Sequence, residues 1–502
     1  MARIGCLVLL AMVTGGCTMG PDYVRPEVDS PERWRLEYTG AAGVVNTEWW
    51  KQFEDPVLDA LIRRALLNNR DVRIAAGRVE EFAARLDISR SALFPQIGYD
   101  GAAGRNSVSR ETAAGVPAGV DRVSDAYSAT LNLGWELDFW GRIRRANEAA
   151  RADLLATAEG RRTVILTLVS AVATSYITLR QLDKQLEISR RTLESRAESL
   201  RLFELQFQGG VVSELVLAQI RSEYEQAAAA IPVVERNIAL AENALSILLG
   251  GNPGPIPRGK TIDHLALPAV PAGAPSELLT RRPDIRTAEQ NLIAANALIG
   301  EARARYFPSI SLTGLFGYAS DDLSRLATGS ANVWAIGAQA IGPIFTGGRI
   351  SGQVRASEAV QRQTLEAYLQ TAQTAFREVD DALISNQKAR EELVVRGRRV
   401  DALKDYAHYA KLRFDNGYAS YIEVLDAERN LFAAELDYAR VQGEVYGSLT
   451  GIYKAMGGGW VLEAENVANE IDFATDEDAR PKFRFPEPTA PATVGQTTVP
   501  PP

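Results

Sequence analysis

The chain has 502 residues, 46% hydrophobic and 24% charged, and its 55 Lys and Arg against 63 Asp and Glu give a net charge of −8. This acidic balance argues against a protein held on nucleic acid by phosphate contacts. The two Cys and two His of the whole chain are too few for a zinc cluster, a disulfide scaffold or most His-dependent catalysis. We therefore expect no bound metal, no cofactor and no enzymatic activity.

The first residues have the pattern of a secretory signal. Arg3 is followed by the short apolar run 4–13 and by small residues that lead to Cys17. We predict a signal peptide over residues 1–16 and, because these residues resemble a bacterial lipobox, acylation of Cys17 as the mature N-terminus. Thr18 stands where the inner-membrane retention pattern has Asp, which implies an outer-membrane address. The alternative is an ordinary signal peptide that leaves Cys17 a free thiol.

Paired landmarks recur in the same order and predict two copies of one structural unit. The pairs are 71–73 with 284–286, Phe94-Pro95 with Phe307-Pro308, 139–143 with 345–350, and 207–213 with 414–420. Chance similarity between Ala-rich helices would not repeat both the Phe-Pro and the Gly landmarks. The two copies are therefore expected to have the same architecture.

Each copy contains two long stretches with the apolar spacing of an α-helix. No Pro occurs from Arg142 to Phe207, where apolar residues recur every three or four positions, and the stretch 350–414 matches it. At 1.5 Å per residue, each such helix is about 100 Å long. Return helices are expected over 213–249 and 420–456, so that each copy forms an antiparallel helical hairpin. Helices alone would also fit a solenoid or a coiled-coil rod.

Four segments between the helices alternate apolar and polar residues, as does a strand with one apolar and one wet face. They are 127–138 and 309–318, with weaker patterns at 95–105 and 333–344. Strands of about ten residues cross a bilayer when tilted, and the smallest transmembrane barrels need about eight of them. No run of about 18 apolar residues is present, which excludes a helical span. Several copies of the chain are therefore expected to share one barrel with a water-filled lumen; a half-buried soluble sheet is the alternative.

These features resemble the TolC/OprM family of outer-membrane factors, and most closely its NodT-like lipoprotein branch. The resemblance covers residues 17 to 460 and rests on Cys17–Tyr23, Arg25-Pro26, Trp49–Pro56, the Phe-Pro corners and the Gly-x-x-Ser turns. It implies a homotrimer in which long helical hairpins form a periplasmic tunnel and four strands per chain build one twelve-stranded barrel in outer-membrane lipid. The implied function is the exit duct of a tripartite, RND-type efflux pump for small toxic compounds. Its partners would be a periplasmic adaptor and an inner-membrane transporter. A duct for protein secretion, as in type I systems, is the alternative.

The predicted fold class is mostly α with a β-barrel part. A signal peptide (1–16), a lipidated arm (17–54), a first repeat with its connector (55–275), a second repeat (276–460) and an acidic, then Pro/Thr-rich tail (461–502) are expected. The β-hairpins are predicted at about 95–139 and 308–346, and the long helical hairpins at about 142–250 and 350–456.

Glu423 and Asp426 follow the second helical turn and, three residues apart, lie near one face of the return helix. The resemblance implies that they line the periplasmic constriction, where the carboxylates of all subunits would attract cations. A solvated helix face is the alternative. Val216 and Ala419 replace the acidic and basic residues of TolC, so its ionic latch is not carried over. By the same resemblance, the turns would contact the adaptor through Gly210, Ser213, Gly417 and Ser420.

Residues 254–261, GPIPRGKT, fit the phosphate-loop pattern. Pro255 and Pro257 lack the amide donors that should cradle a phosphate, and no strand precedes the segment. We interpret it as a connector between the copies. The competing hypothesis is an ATP-using enzyme that binds nucleotide through Lys260.

Overall fold

The computed structural model describes residues 18–36, 48–109, 121–268, 270 and 274–469. The predicted signal peptide, Cys17 and the part of the tail after Asn469 lie outside the described residues.

Each repeat has the order helix, two strands, long helix and return helix, which confirms the predicted fold class. The helices of ten or more residues are α1 (Pro56–Asn68), α2 (Arg70–Ser91), α3 (Arg142–Gln208), α4 (Glu214–Leu248), α5 (Pro283–Ala304), α6 (Arg349–Asp415), α7 (Tyr421–Met456) and α8 (Trp460–Asn469), and the strands are β1 (Gln96–Ser107), β2 (Val123–Leu137), β3 (Ser309–Ser320) and β4 (Asn332–Ile341). The long helices α3 and α6 have 67 residues each. Each therefore extends about 100 Å from the sheet to the turn at its far end.

The four strands form one antiparallel sheet in the order β1-β2-β3-β4, so that the hairpins of the two repeats pair through β2 and β3. Leu131 lies opposite Tyr99 on β1 and Phe316 on β3, and Phe316 lies opposite Trp334 on β4. Most of the large apolar residues of the four strands therefore share one face, as the alternation predicted. On the other face, Thr130 pairs with Asp100 and Gly317, and most residues of this face are polar or small, with Leu315, Val333 and Ile341 as apolar exceptions.

Large apolar side chains on this sheet are exposed among the residues that the structure describes. Tyr99 is 90% exposed, Ile336 84% and Trp334 70%. In the described part of the chain, no further strand pairs with the outer edge of β1 or of β4. An apolar face of this size and two open edges require a covering medium and further strands.

The core lies where the helices of both repeats meet, and aromatic residues dominate it. The ring of Trp49 stacks on that of Tyr453 at a centroid distance of 4.9 Å and meets Trp460 edge-on at 6.0 Å. Trp460 begins α8, which Arg162 ties to α3 through an ion pair with Glu465 at 2.9 Å. The first part of the predicted acidic tail is thus a folded helix with a buried apolar stripe.

One described helix, α3, is long and apolar enough to cross a membrane by length and composition. This differs from the prediction that the chain has no helix able to span a membrane. More than half of its apolar window is buried. Val172, Tyr176 and Leu179 are fully enclosed there. A helix with neighbours on several sides is apolar nearly all round, so this pattern indicates a core helix as readily as a membrane span.

Candidate functional site at the helical tips

The two helical hairpins end side by side, and their tips share a small apolar core. Its buried members are Phe203, Leu217, Ile220, Ala410, Tyr421, Val424 and Ala427, which come from α3, α4, α6 and α7. Tyr421 lies with its ring centroid 4.3 Å from that of Phe203 and 5.0 Å from that of Phe414. Burial raises the pKa of Tyr421 to about 12. The tips of both repeats are therefore packed as one unit, with the tyrosine hydroxyl neutral at physiological pH.

The two turns project beyond this core. Gly210 and Gly417 reverse the chain with φ values of +74° and +77°, a region that favours glycine. Ser213 caps α4, its Oγ accepting a hydrogen bond from the amide of Val216 at 3.5 Å. Ser420 precedes α7, and both serines and both glycines are exposed. The structure thus brings the predicted adaptor-contact residues to one end of the molecule; their contact with an adaptor stays a prediction.

Both candidate gate carboxylates have a guanidinium beside them. Glu423 lies 3.5 Å from Arg413 across the turn. Asp426 pairs with Arg429 at 2.9 Å and accepts a hydrogen bond from the side-chain amide of Asn430 at 3.1 Å. All four charged side chains are more than a third exposed. The formal charges of these two carboxylates and two guanidinium groups therefore cancel, whereas the carboxylates alone would make the group acidic.

The spacing of Asp426 and Arg429 is a local signal that sequence reasoning missed, because residues three apart are neighbours on a helix. Arg413 carries no such signal. It lies on α6 and meets Glu423 on α7 only through the pairing of the two helices.

A buried charged cluster lies between the helices behind the tip. Arg196 on α3 is 3% exposed, pairs with Glu223 at 3.1 Å and has its guanidinium 5.5 Å from the ring centroid of Phe432. Burial lowers the pKa of Arg196. Burial likewise raises the pKa of Glu428 on α7, which faces the positive Arg196 and Lys411 and the negative Glu223. The ionised form of Glu428 is therefore disfavoured in the folded protein.

We expect Glu428→Gln to raise the melting temperature of the protein at pH 7 and to leave it nearly unchanged near pH 4. The folded-state pKa of Glu428 lies above its ordinary value of 4.5. The contribution of Glu428 to the free energy of unfolding is therefore fully present at a pH below 4.5 and is lost as the pH rises through the raised pKa of the folded state. Thermal unfolding in detergent measures the difference, with the exposed Glu391→Gln as control. A lower melting temperature at pH 7 would contradict the prediction.

The segment that fits the phosphate-loop pattern holds a carboxylate of the protein itself. Asp55 is fully buried and accepts hydrogen bonds from the amide of Lys260 at 3.1 Å and the hydroxyl of Tyr176 at 2.7 Å. The amide of Gly259 donates to the same hydroxyl at 2.9 Å. The Lys260 ammonium lies 3.4 Å from Glu54. The amides and the lysine that would face a phosphate are therefore already engaged.

Among the residues that the structure describes, no group of three His, Cys, Asp or Glu side chains is arranged to hold a metal ion. His264 instead has its Nδ1 within 2.7 Å of the hydroxyl of Thr261.

Comparison with known proteins gives consistent results along nearly the whole chain. The sequence model of the family described as outer membrane efflux protein matches residues 61–251 and 274–458, one match in each repeat. The chain is 37% identical over 457 residues to the toluene efflux pump outer membrane protein TtgI of Pseudomonas putida, covering 89% of this chain and 97% of that protein. It is 37% identical over 462 residues to the cation efflux system protein CusC of Escherichia coli, covering 90% and 97%.

Solved structures show the same similarity. A structure of CusC superposes with a TM-score of 0.79 at 35% identity, covering 88% of this chain and 100% of that chain. The open state of the Neisseria gonorrhoeae MtrE outer membrane channel gives a TM-score of 0.79 at 30% identity, covering 88% and 98%.

Proposed function

Because the chain belongs to the outer membrane efflux protein family, we propose that it is the outer-membrane exit duct of a tripartite efflux pump for small toxic compounds. Its partners would be a periplasmic adaptor and an RND-type inner-membrane transporter. The names of its relatives assign toluene to one pump and cations to another. A passive duct leaves that choice to the transporter, since the lumen only has to be wide and wet.

The observation that carries this proposal is the sheet. It has one apolar and one polar face, two open edges and helices about 100 Å long that continue from its strands. In a bilayer, open edges leave backbone groups unpaired, so the sheet has to close, and four strands are fewer than the smallest barrels contain. Three copies would supply twelve strands. We therefore propose a homotrimer with the apolar face toward lipid and the polar face toward the lumen.

We further propose that residues 1–16 are removed and that Cys17 is acylated. Thr18, the first described residue, lies beside Gly141, which joins β2 to α3. An acyl group on the preceding residue would thus begin at the boundary between sheet and helices. This is the level at which a protein with its strands in the outer membrane and its helices in the periplasm meets the inner leaflet.

At the opposite end, we propose that Glu423 and Asp426 line the periplasmic constriction and that the turns with Gly210, Ser213, Gly417 and Ser420 contact the adaptor. The exposure of the turn residues, the partial exposure of the two carboxylates and their position at the tip support both assignments.

The mature protein, purified in detergent, should form trimers and conduct ions in planar bilayers. A monomer that stays soluble without detergent would overturn the proposal. In cells, deletion of the gene should raise sensitivity to small toxic compounds. Loss of an exported polypeptide with unchanged sensitivity would instead indicate a duct for protein secretion.

A further inference from the structure

The start of the described chain is held in a groove between the beginning of α3 and the helix α5. The amide of Met19 donates to the carbonyl of Trp140 at 3.1 Å. The side-chain amide of Asn296 on α5 donates to the carbonyl of Pro21 at 3.0 Å. An extended segment without secondary structure of its own therefore has its backbone groups bonded to both sides of the groove.

Arg145 is the centre of these contacts. It is 4% exposed, and its guanidinium donates to the carbonyl of Met19 at 3.1 Å, to that of Gly20 at 3.4 Å and to the carboxylate of Asp22 at 2.7 Å. Its remaining partner is Glu148, at 2.7 Å. Burying a guanidinium is costly unless its donors are used. Three of these four partners belong to the segment 18–22, so the segment is what this buried cation binds.

Gly300 on α5 lets the segment approach the helix backbone. A Cβ on Gly300 would lie less than 3.0 Å from the carbonyl oxygen of Met19, and a Cβ on Gly20 would lie as close to the Cα of Gly300. Glycine inside a helix costs about 1 kcal/mol relative to alanine. That cost is explained here by the contact, because any side chain at this position would push the segment out.

The internal repeat supplies a comparison. When the two repeats are aligned on the landmark pairs Asp71 with Asp284 and Phe94 with Phe307, Asp87 of the first repeat is the equivalent of Gly300. Aligned on the shared Gly-Arg-Ile at the start of the long helices, Gly352 of the second repeat is the equivalent of Arg145. Neither feature occurs in the other copy. The groove is thus not a by-product of the repeated architecture, and it is built only where the single N-terminal segment lies.

We propose that Arg145, Asn296 and Gly300 form a dock, present once per subunit, that holds residues 18–22 and sets the height of the acylated N-terminus at the junction of sheet and helices. The consequence for the membrane rests on the proposed acylation of Cys17, whereas the dock itself does not. Release of five residues would give the anchor about 17 Å of additional reach. That is more than half of a hydrocarbon core of about 30 Å. The dock would therefore keep the acyl chains in the leaflet next to the strands of the same subunit.

Hydrogen exchange of the Met19 amide in the mature, detergent-solubilised protein tests the dock. We expect exchange at least about tenfold faster in Gly300→Ala and in Arg145→Met, since both remove contacts that hold this amide on Trp140. Gly77→Ala is the matched control: it replaces a helical glycine of α2 whose added Cβ meets nothing within 4 Å. Alanine favours the helix at both positions, and the amides of α5 report directly that the helix stays folded.

Unchanged exchange of the Met19 amide in either Gly300→Ala or Arg145→Met would overturn the dock. Mass spectrometry of the N-terminal peptide from the same samples tests the lipid separately. A docked segment on a chain without acyl groups would overturn the proposed acylation and leave the dock in place. An acylated chain in which the substitutions leave the exchange of the Met19 amide unchanged would overturn the dock and leave the proposed acylation in place.

Discussion

The double variant Arg413→Gln, Arg429→Gln should turn the tips into a strongly cation-selective constriction. Each arginine lies beside one candidate gate carboxylate, Arg413 beside Glu423 and Arg429 beside Asp426. Removing both leaves two uncompensated negative charges on every subunit of the proposed trimer. A ring of one sign in a narrow lumen concentrates counter-ions by about tenfold or more. We expect the ratio of potassium to chloride permeability in planar bilayers to rise by about that factor at low salt.

This effect should fade at 1 M salt, where the Debye length falls to about 3 Å. The opposite variant, Glu423→Gln with Asp426→Gln, should favour anions and abolish block by multivalent cations. Arg221→Gln is the matched control, since Arg221 pairs with Glu204 at 3.3 Å on the first hairpin with similar exposure. Conducting channels with the same selectivity in all variants would remove the gate assignment and leave the duct itself intact.

Asp55→Ala should lower the free energy of unfolding by about 4 kcal/mol. The buried carboxylate accepts hydrogen bonds from the amides of Val57 and Lys260 and from the hydroxyl of Tyr176. The alanine variant leaves all three donors without their acceptor in a site closed to water, which costs about 1–3 kcal/mol for each group. Thermal or denaturant unfolding in detergent measures the loss. Asp55→Asn, which retains one acceptor oxygen, should lose about half as much.

Lys260→Ala tests the competing hypothesis that this segment binds nucleotide. Its ammonium has an exposed partner, Glu54, so its loss should cost less than about 1 kcal/mol. We expect no ATP binding in either protein. Binding by the wild type that Lys260→Ala abolishes would show that the segment does hold phosphate.

Periodic patterns made much of the fold predictable. The apolar spacing predicts a helix over 142–207 and a return helix over 420–456, and the structure has Arg142–Gln208 and Tyr421–Met456. Which strand residues share a face was also predictable, because side chains alternate strictly along a strand. The prediction that no helix could cross a membrane was less reliable, since α3 is long and apolar enough to do so by length and composition, although more than half of its apolar window is buried.

Contacts between residues far apart in the chain depended on tertiary structure. Asp55 meets Lys260, and Arg145 meets Met19, only because the helices of the two repeats pack together. No local signal marks such partners, because each pairing depends on the relative position of whole elements.

The helices and strands, their repetition and the apolar face of the sheet are predictable from sequence, because they follow from periodicities within a few residues. Three features follow from the packing of the helices instead: the pairing of Glu423 with Arg413, the carboxylate of Asp55 in the loop at Lys260, and the position of the N-terminal segment. Those outcomes require atoms from distant elements to come within hydrogen-bonding distance, and only the packed helices bring them there.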